Sequence, residues 1–393
     1  MALWTFDRAR HWSAQRQLKT KRIARLIDAE GSVVDSNARK QDSATLTELL
    51  PLSGDARQDS SVAKPHLLPR VLKSRGAAFV YASLFATACG AFYYARKIET
   101  KKYKLETVRI ITGDGNAWRA LPGAGNGKKS LAEGGVGGGG GAERKLFKVL
   151  HISDLHLSEP ESHKVDFIRK ITDADYDLIV LTGDVFENYS GLKYAENLIT
   201  RPPKIGAYAV LGNHDYYDYR MFHKIVGRIF KPLRHPREKR DVTPMIEALE
   251  RGGWDVLRNE SRSHKEHKLH VVGIDYPGIG KAELLKLADQ APEHHLNLCL
   301  FHVPKKLEVI SSADFDIAFG GHTHGGQIRI PGFGPLITDS ELGRHEASGV
   351  IRRGNTTFHI SRGLGADPRS NIRFNCPPAA TVVEIHHQMP RGV

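Results

Sequence analysis

The alternation of apolar and polar positions divides the chain into unlike stretches. Up to residue 75 no apolar period is sustained, and Ser, Asp, Ala and Pro dominate residues 31–70, so 1–75 is expected to be mostly disordered. "GAAFVYASLFATACGAFYYA", Gly76 to Ala95, then runs for twenty residues without a charge. At about 1.5 Å rise per residue this covers about 30 Å, the thickness of a hydrocarbon core, so a single-pass transmembrane helix is predicted over 76–95. Tyr81, Tyr93 and Tyr94 would anchor it at the interface. Basic residues flank both ends (Arg70, Lys73 and Arg75; Arg96, Lys97, Lys101 and Lys102), so charge asymmetry does not orient it. Residues 96–144 are basic and then glycine-rich, and read as a flexible linker.

From residue 145 to 387 the pattern becomes short β-branched and Leu-rich runs alternating with amphipathic ones. "KLFKVLHIS", "DLIVLTGD", "IGAYAVLGN", "KLHVVGID", "LNLCLFH" and "FDIAFGGH" read as buried strands. "FIRKITDA", "TPMIEALERGG", "KAELLKLA" and "KKLEVIS" read as the helices between them. Strand and helix in turn predict an α/β domain. Thr243 is a plausible N-cap, with Pro244 in the first turn and Gly252 as the stop. Past Gly325, "QIRIP", "GVIRRG", "TTFHIS" and "ATVVEI" read as strands without intervening helices, expected to close a sheet by antiparallel pairing.

Composition sharpens this in three ways. Cys89, Cys299 and Cys376 are far apart and odd in number, which excludes a disulfide framework or a Cys-x-x-Cys metal knuckle. The formal charge of +13 lies largely before residue 105, where the first thirty residues are read as an unstructured cytosolic tail, with a basic mitochondrial leader as the alternative. Twenty histidines are many for 393 residues and raise the question of a metal site.

That question is answered at the strand ends. Asp154 and His156 follow the first predicted strand, Asp184 the second, Asn213 and His214 the third, His302 a later one, and His322 and His324 the last of the alternating series. Ligands in open α/β sheets bind at the carboxyl edge, where the loops converge. Carboxylate and amide oxygen mixed with imidazole nitrogen suits Zn, Fe or Mn, and seven donors exceed what one ion needs. Two divalent ions sharing a bridging carboxylate, about 3.5 to 4 Å apart, would use them all and clamp an in-line displacement at phosphorus. Gly320, Gly321, Gly325 and Gly326 are expected to let the backbone turn tightly around the two histidines.

Asp154-x-His156, Gly183-Asp184, Gly212-Asn213-His214-Asp215, His302 and Gly321-His322-x-His324, in this order, resemble the signature of the calcineurin-like metallophosphoesterases. "GGQIRIPGFGPLI" and the closing "SRGLGADPRSNIRFNCPPAATVVEI" resemble the YaeI/YkuE-like membrane-associated branch. The resemblance implies a four-layer α-β-β-α sandwich of two mixed sheets preceded by the transmembrane helix. It also implies that Asp154, His156 and His324 hold one ion, that Asn213, His302 and His322 hold the other, and that Asp184 bridges both. Water activated between the ions would attack phosphorus, and His214 is the expected group to protonate or hold the leaving oxygen. Asp215 either orients that imidazole or caps a turn. Val185-Phe186-Glu187 lacks the Asp-Arg-Gly of protein phosphatases and the tyrosine of purple acid phosphatases, and Glu187 and Asn188 are read as solvated loop residues, with lining of the site entrance as the alternative.

The expected substrate is a phosphoester, a phosphodiester before others, carried on a phospholipid or a lipid-linked molecule because tethering confines the enzyme to a bilayer. Nucleic acid is not the expected partner. A nuclease or cyclic-nucleotide phosphodiesterase is the rival within enzymes, and a non-catalytic scaffold the rival outside them. The basic insert 220–241 is expected either to cap the site or to be a solvated loop. His223, His235, His264, His267, His270, His294, His295, His386 and His387 are read as surface histidines.

Overall fold

The computed structural model describes residues 75–112, 144–218, 239–338, 340–367 and 370–388. The basic N-terminal region, most of the glycine-rich tether and most of the basic insert lie outside them. In chain order the strands are β1 (Lys104–Thr112), β2 (Arg144–Ile152), β3 (Leu178–Thr182), β4 (Gly206–Val210), β5 (Asp255–Val256), β6 (Glu260–His264), β7 (Leu269–Gly273), β8 (Leu296–Leu300), β9 (Ile317–Gly320), β10 (Arg329–Ile330), β11 (Gly334–Pro335), β12 (Gly349–Arg353), β13 (Thr356–Ile360) and β14 (Ala379–Gln388). One six-stranded sheet runs β1-β14-β2-β3-β4-β5 and the other β12-β13-β9-β8-β7-β6, while β10 and β11 form a separate hairpin.

Alternation along each strand builds the layers, because successive side chains point to opposite faces. Leu178 and Val180 of β3, Leu298 and Leu300 of β8, and Ile317 and Phe319 of β9 meet in one core between the sheets. Ile179 and Leu181 face a second core with Ile168 and Leu249 of the helices Ser162–Ile171 and Thr243–Arg251. Cys299 and Ala318 face a third with Leu284 and Ile310 of the helices Lys281–Ala288 and Leu307–Ser311. Three apolar cores in this order make the expected α-β-β-α sandwich.

The pairing differs from expectation in two places. The β12–β13 hairpin is antiparallel, but β13 joins β9 in parallel, and β14 crosses to the first sheet, antiparallel to β2. Residues 104–112, expected as linker, form β1, which pairs in parallel with β14 from Lys104↔Ala379 to Thr112↔His387. The domain therefore begins before its glycine-rich stretch. Exposed Lys104, Leu105, Thr107 and Arg109 hid this edge strand from a reading based on apolar content. The helix of residues 243–251 starts one residue earlier than its expected cap implied, with Val242 at the N-cap.

The apolar helix spans Arg75–Tyr93 and continues through a π-helical turn, Tyr94–Ile98, into a short 3-10 turn, Glu99–Lys101. Gly76–Lys101 is long and apolar enough to cross a membrane, and its apolar window is not buried within the molecule. Ala95 and Glu99, by contrast, are buried.

Two histidines between the sheets set a pH limit on stability. His151 Nδ1 lies 2.8 Å from His359 Nδ1, and His151 Nε2 lies 2.8 Å from Thr182 Oγ1. Burial, then the charge of Arg362, lowers His359 from 6.5 to about 4; burial likewise holds His151 well below its usual value. Between these limits the unfolded chain binds a proton that the folded one does not, so stability is lost as pH falls from 6.5 through 4. The His359 contribution is about 3 kcal/mol. The urea midpoint should therefore drop between pH 7 and pH 5, and drop less in His359→Gln; equal drops would remove His359 from the account.

Candidate metal centre

Every sequence-predicted donor sits just past the carboxyl end of its strand: Asp154 after β2, Asp184 after β3, Asn213 after β4, His302 after β8, His322 after β9. The parallel direction of these strands brings the loops to one edge of the sandwich. There the ligating atoms of Asp154, His156 and His324 lie within 4.8 Å of one another, as do those of Asp184, His302 and His322. Asp184 joins the groups, its Oδ2 standing 3.2 Å from His302 Nε2 and 3.8 Å from His156 Nε2. Asn213 opens a single helical turn, Asn213–Tyr216, and is buried.

The backbone is bent to make this cluster. Asp154, His156, Asp184, His322 and His324 take φ of 51°, 46°, 51°, 73° and 50°. For residues with a Cβ this left-handed conformation costs about 1–2 kcal/mol each and persists only where surrounding contacts hold it. The expectation for the glycines is half met. Gly325 and Gly326 have positive φ, but Gly321 is needed for space: a Cβ there would stand 2.1 Å from Ser153 Oγ and 2.6 Å from Asp154 Oδ2. At Gly212 a Cβ would lie 2.3 Å from Asp184 Oδ1.

The hydrogen bonds fix which ring nitrogens face the cluster. His302 Nδ1 lies 2.7 Å from the carbonyl oxygen of Thr182, which requires an Nδ1–H and leaves Nε2 toward Asp184. His156 Nδ1 lies 3.2 Å from Glu187 Oε2, which leaves its Nε2 3.3 Å from His324 Nε2. Asp154 accepts from Ser153 Oγ at 2.6 Å and from the His322 backbone N–H at 2.9 Å. The Asp184 Oδ1 accepts from the His214 backbone N–H at 2.8 Å.

Without a metal, carboxylate charge in the site is met by imidazole. Burial opposes the Asp184 carboxylate, but His302, His214 and His156 outweigh it and hold its pKa well below the usual range. Burial depresses His302, yet Asp184 and Asp154 raise it to about 9, so the metal-free site holds a proton there. Asp154 is raised, mainly by burial and by Asp184. His324 is held well below its usual value by burial, His156 and Arg373. His302 Nε2, despite its short distance to Asp184, has no aligned hydrogen bond, and neither has Asn213 Oδ1. A buried amide oxygen left without a partner, among carboxylates and imidazoles whose lone pairs converge, fits divalent cations.

Three further residues shape the site. Glu187 is not solvated: it lies between His156 and His214, 3.6 Å from His214 Nδ1. Burial pushes its carboxyl up, but hydrogen bonds from the two imidazoles prevail and hold it at about 2. Its position three residues past Asp184 was the available signal. Asp215 follows the capping alternative and does not orient His214: its carboxylate accepts from the backbone N–H groups of Val185, Phe186 and Gly212, tying the Asp184 loop to the Asn213 turn. Arg373, unremarked in the sequence, is fully buried, donates to the carbonyls of Gly365 and Cys376, and stands 3.4 Å from His324 Nδ1. Among the remaining histidines, His270 and His387 are buried, bonded to Ser263 and Thr112, rather than on the surface.

The family model of the calcineurin-like phosphoesterases matches residues 147–326. An uncharacterised metallophosphoesterase of Bacillus subtilis, YkuE, is 27% identical over 61% of this chain and 79% of its own. The phosphodiesterase YaeI of Escherichia coli is 29% identical over 61% and 82%. The UDP-2,3-diacylglucosamine pyrophosphatase LpxG of Chlamydia muridarum is 26% identical over 62% and 84%. The matched segment holds both groups of candidate donors, and on these grounds residues 147–326 form a calcineurin-like phosphoesterase domain.

Proposed function

We propose that this metallophosphoesterase is membrane-anchored through Gly76–Ala95 and hydrolyses a phosphodiester or pyrophosphate bond of a lipid-linked substrate with two divalent ions. Asp154, His156 and His324 hold one ion, Asn213, His302 and His322 the other, and Asp184 bridges them. The observation that carries this reading is the Asp184 carboxylate, within 3.2 and 3.8 Å of imidazole nitrogens from the two groups. Bound there, the ions supply Lewis-acid charge for the phosphoryl oxygens and lower the pKa of water. Mn, Fe or Zn suits the mixed oxygen and nitrogen donors.

The chain's own residues do the rest. Glu187 holds His156 in the tautomer that presents Nε2, and the Thr182 carbonyl does the same for His302. His214, its backbone bonded to Asp184 and its ring 4.8 Å from that of His156, stands beside both groups and protonates the leaving oxygen. A lipid-linked substrate is supported by the apolar helix and by two relatives, one named a phosphodiesterase and one a pyrophosphatase of a diacylated sugar nucleotide.

The test uses the full chain in detergent, stripped by chelator and reloaded with Mn²⁺ or Zn²⁺. Metal-dependent hydrolysis of bis(p-nitrophenyl) phosphate and of a diacylated sugar nucleotide is expected. Turnover of the soluble diester alone would remove the lipid part of the proposal; no turnover of either would leave the scaffold reading standing.

A further inference from the structure

The hairpin that follows the His322–His324 turn has no part in the centre described above. Its strands β10 and β11 pair Arg329 with Pro335 and Ile330 with Gly334. It leaves Ile330, Phe333, Leu336 and Ile337 at 43, 48, 45 and 63% exposure. Single exposed apolar residues are ordinary, but four large ones within one eight-residue segment form a patch that calls for a cover.

Two observations identify the cover. First, the base of the hairpin and the exit of the apolar helix are fastened to the same strip of chain, Ser370–Phe374. On the hairpin side the Arg329 N–H donates to the Phe374 carbonyl at 2.9 Å, the Phe374 N–H to the Gln327 carbonyl at 3.0 Å, and Gln327 Nε2 to Ser370 Oγ at 2.7 Å. On the helix side the Arg373 N–H donates to the Ala95 carbonyl at 2.9 Å, and the Arg96 guanidinium to the Ser370 carbonyl at 2.7 Å. A bilayer crossed by Gly76–Ala95 has its surface at this strip. Second, the patch carries its own cation: the Arg344 guanidinium lies 4.1 Å from the centroid of the Phe333 ring. An aromatic ring under an arginine, with aliphatic neighbours, suits an interface whose phosphates meet the cation and whose acyl chains meet the rest.

We propose that the Ile328–Ile337 hairpin enters the interface of the bilayer from which the apolar helix emerges. The metal centre then opens against the membrane surface, because the same turn that carries His324 leads directly into the hairpin. A phosphoester can then reach the centre while its acyl chains stay in the bilayer, so a head group esterified to a diacyl lipid is the substrate class selected. This inference rests on the membrane-anchored reading above and adds a second membrane contact to it.

Cysteine chemistry allows a direct test. Cys299 and Cys376 are buried and Cys89 is exposed, so in a Cys89→Ala background the thiol of Phe333→Cys is the one open to a nitrobenzoxadiazole label. The full chain is placed in vesicles of phosphatidylcholine and phosphatidylglycerol. Blue-shifted emission, quenched by doxyl groups on the acyl chains, is expected at this position. The same label on Glu266→Cys, in the turn Lys265–His267 at the amino end of β7, should remain unquenched. Turnover of bis(p-nitrophenyl) phosphate by the labelled protein reports the catalytic reading separately. Turnover with an unquenched label at residue 333 overturns the hairpin inference alone, whereas quenching without turnover upholds the hairpin and sinks the catalytic reading. Emission that blue-shifts in detergent with rising protein concentration and shows no doxyl quenching marks a second copy of the chain as the cover, and also overturns it.

Discussion

Asp184→Asn is expected to lower turnover by about a thousandfold and to reduce the metal content of the purified protein, while leaving the fold intact. The substitution keeps the shape that Gly212 leaves room for and an oxygen to accept from the His214 N–H. What it removes is charge at the point where the two groups of donors meet. Loss of one preorganised electrostatic group costs about 10²–10³ in turnover, and here the same loss also weakens both ion sites on the proposed assignment. A second readout is independent of catalysis. In the metal-free protein Asp184 is the leading reason that His302 is raised to about 9, so the variant should release the His302 proton at a lower pH. Metal content measured by atomic emission and His302 titration followed by NMR would check both arms. Full metal loading with unchanged turnover would exclude Asp184 as the bridge.

His214→Ala has a different expected signature, since on the proposed assignment His214 is not among the metal ligands. Turnover of a substrate with an alkoxide leaving group should fall about 10²–10⁴-fold, the range for a positioned general acid, with metal content unchanged. A p-nitrophenyl ester, whose leaving oxygen needs no proton, should be affected far less. Equal losses on both substrates would assign His214 to holding the site together instead of to proton transfer. Glu187, at 3.6 Å from His214 Nδ1, is the carboxylate in position to orient that ring, a task that Asp215 does not perform because its oxygens are taken by three backbone N–H groups.

The donors were legible because their signal is local. A carboxylate or imidazole one or two residues past a buried β-branched run must lie at a sheet edge, and parallel strands put such edges together. The strands and helices read between Lys145 and Gly320 are present in the structure, with the short strands β5 and β6 added before β7. Of Glu187 only its place beside Asp184 was legible, because its partners His156 and His214 lie 31 and 27 residues away in the chain. The same holds for β1, whose exposed side chains give no apolar run and whose register is set entirely by β14 at the far end of the domain.

By itself the sequence determined the ordered donor set, the α/β alternation and one helix apolar enough to cross a membrane, because each is written in spacings shorter than a strand or a helix. Tertiary structure alone decided that Arg373 is buried against His324, its guanidinium donating to backbone carbonyls. It alone decided that five metal-centre residues take left-handed backbone angles, and that the exit of the apolar helix and the exposed hairpin share one strip of chain. Burial, strain and choice of partner depend on which distant segments the packing brings into contact, and no local pattern of residue types carries that information.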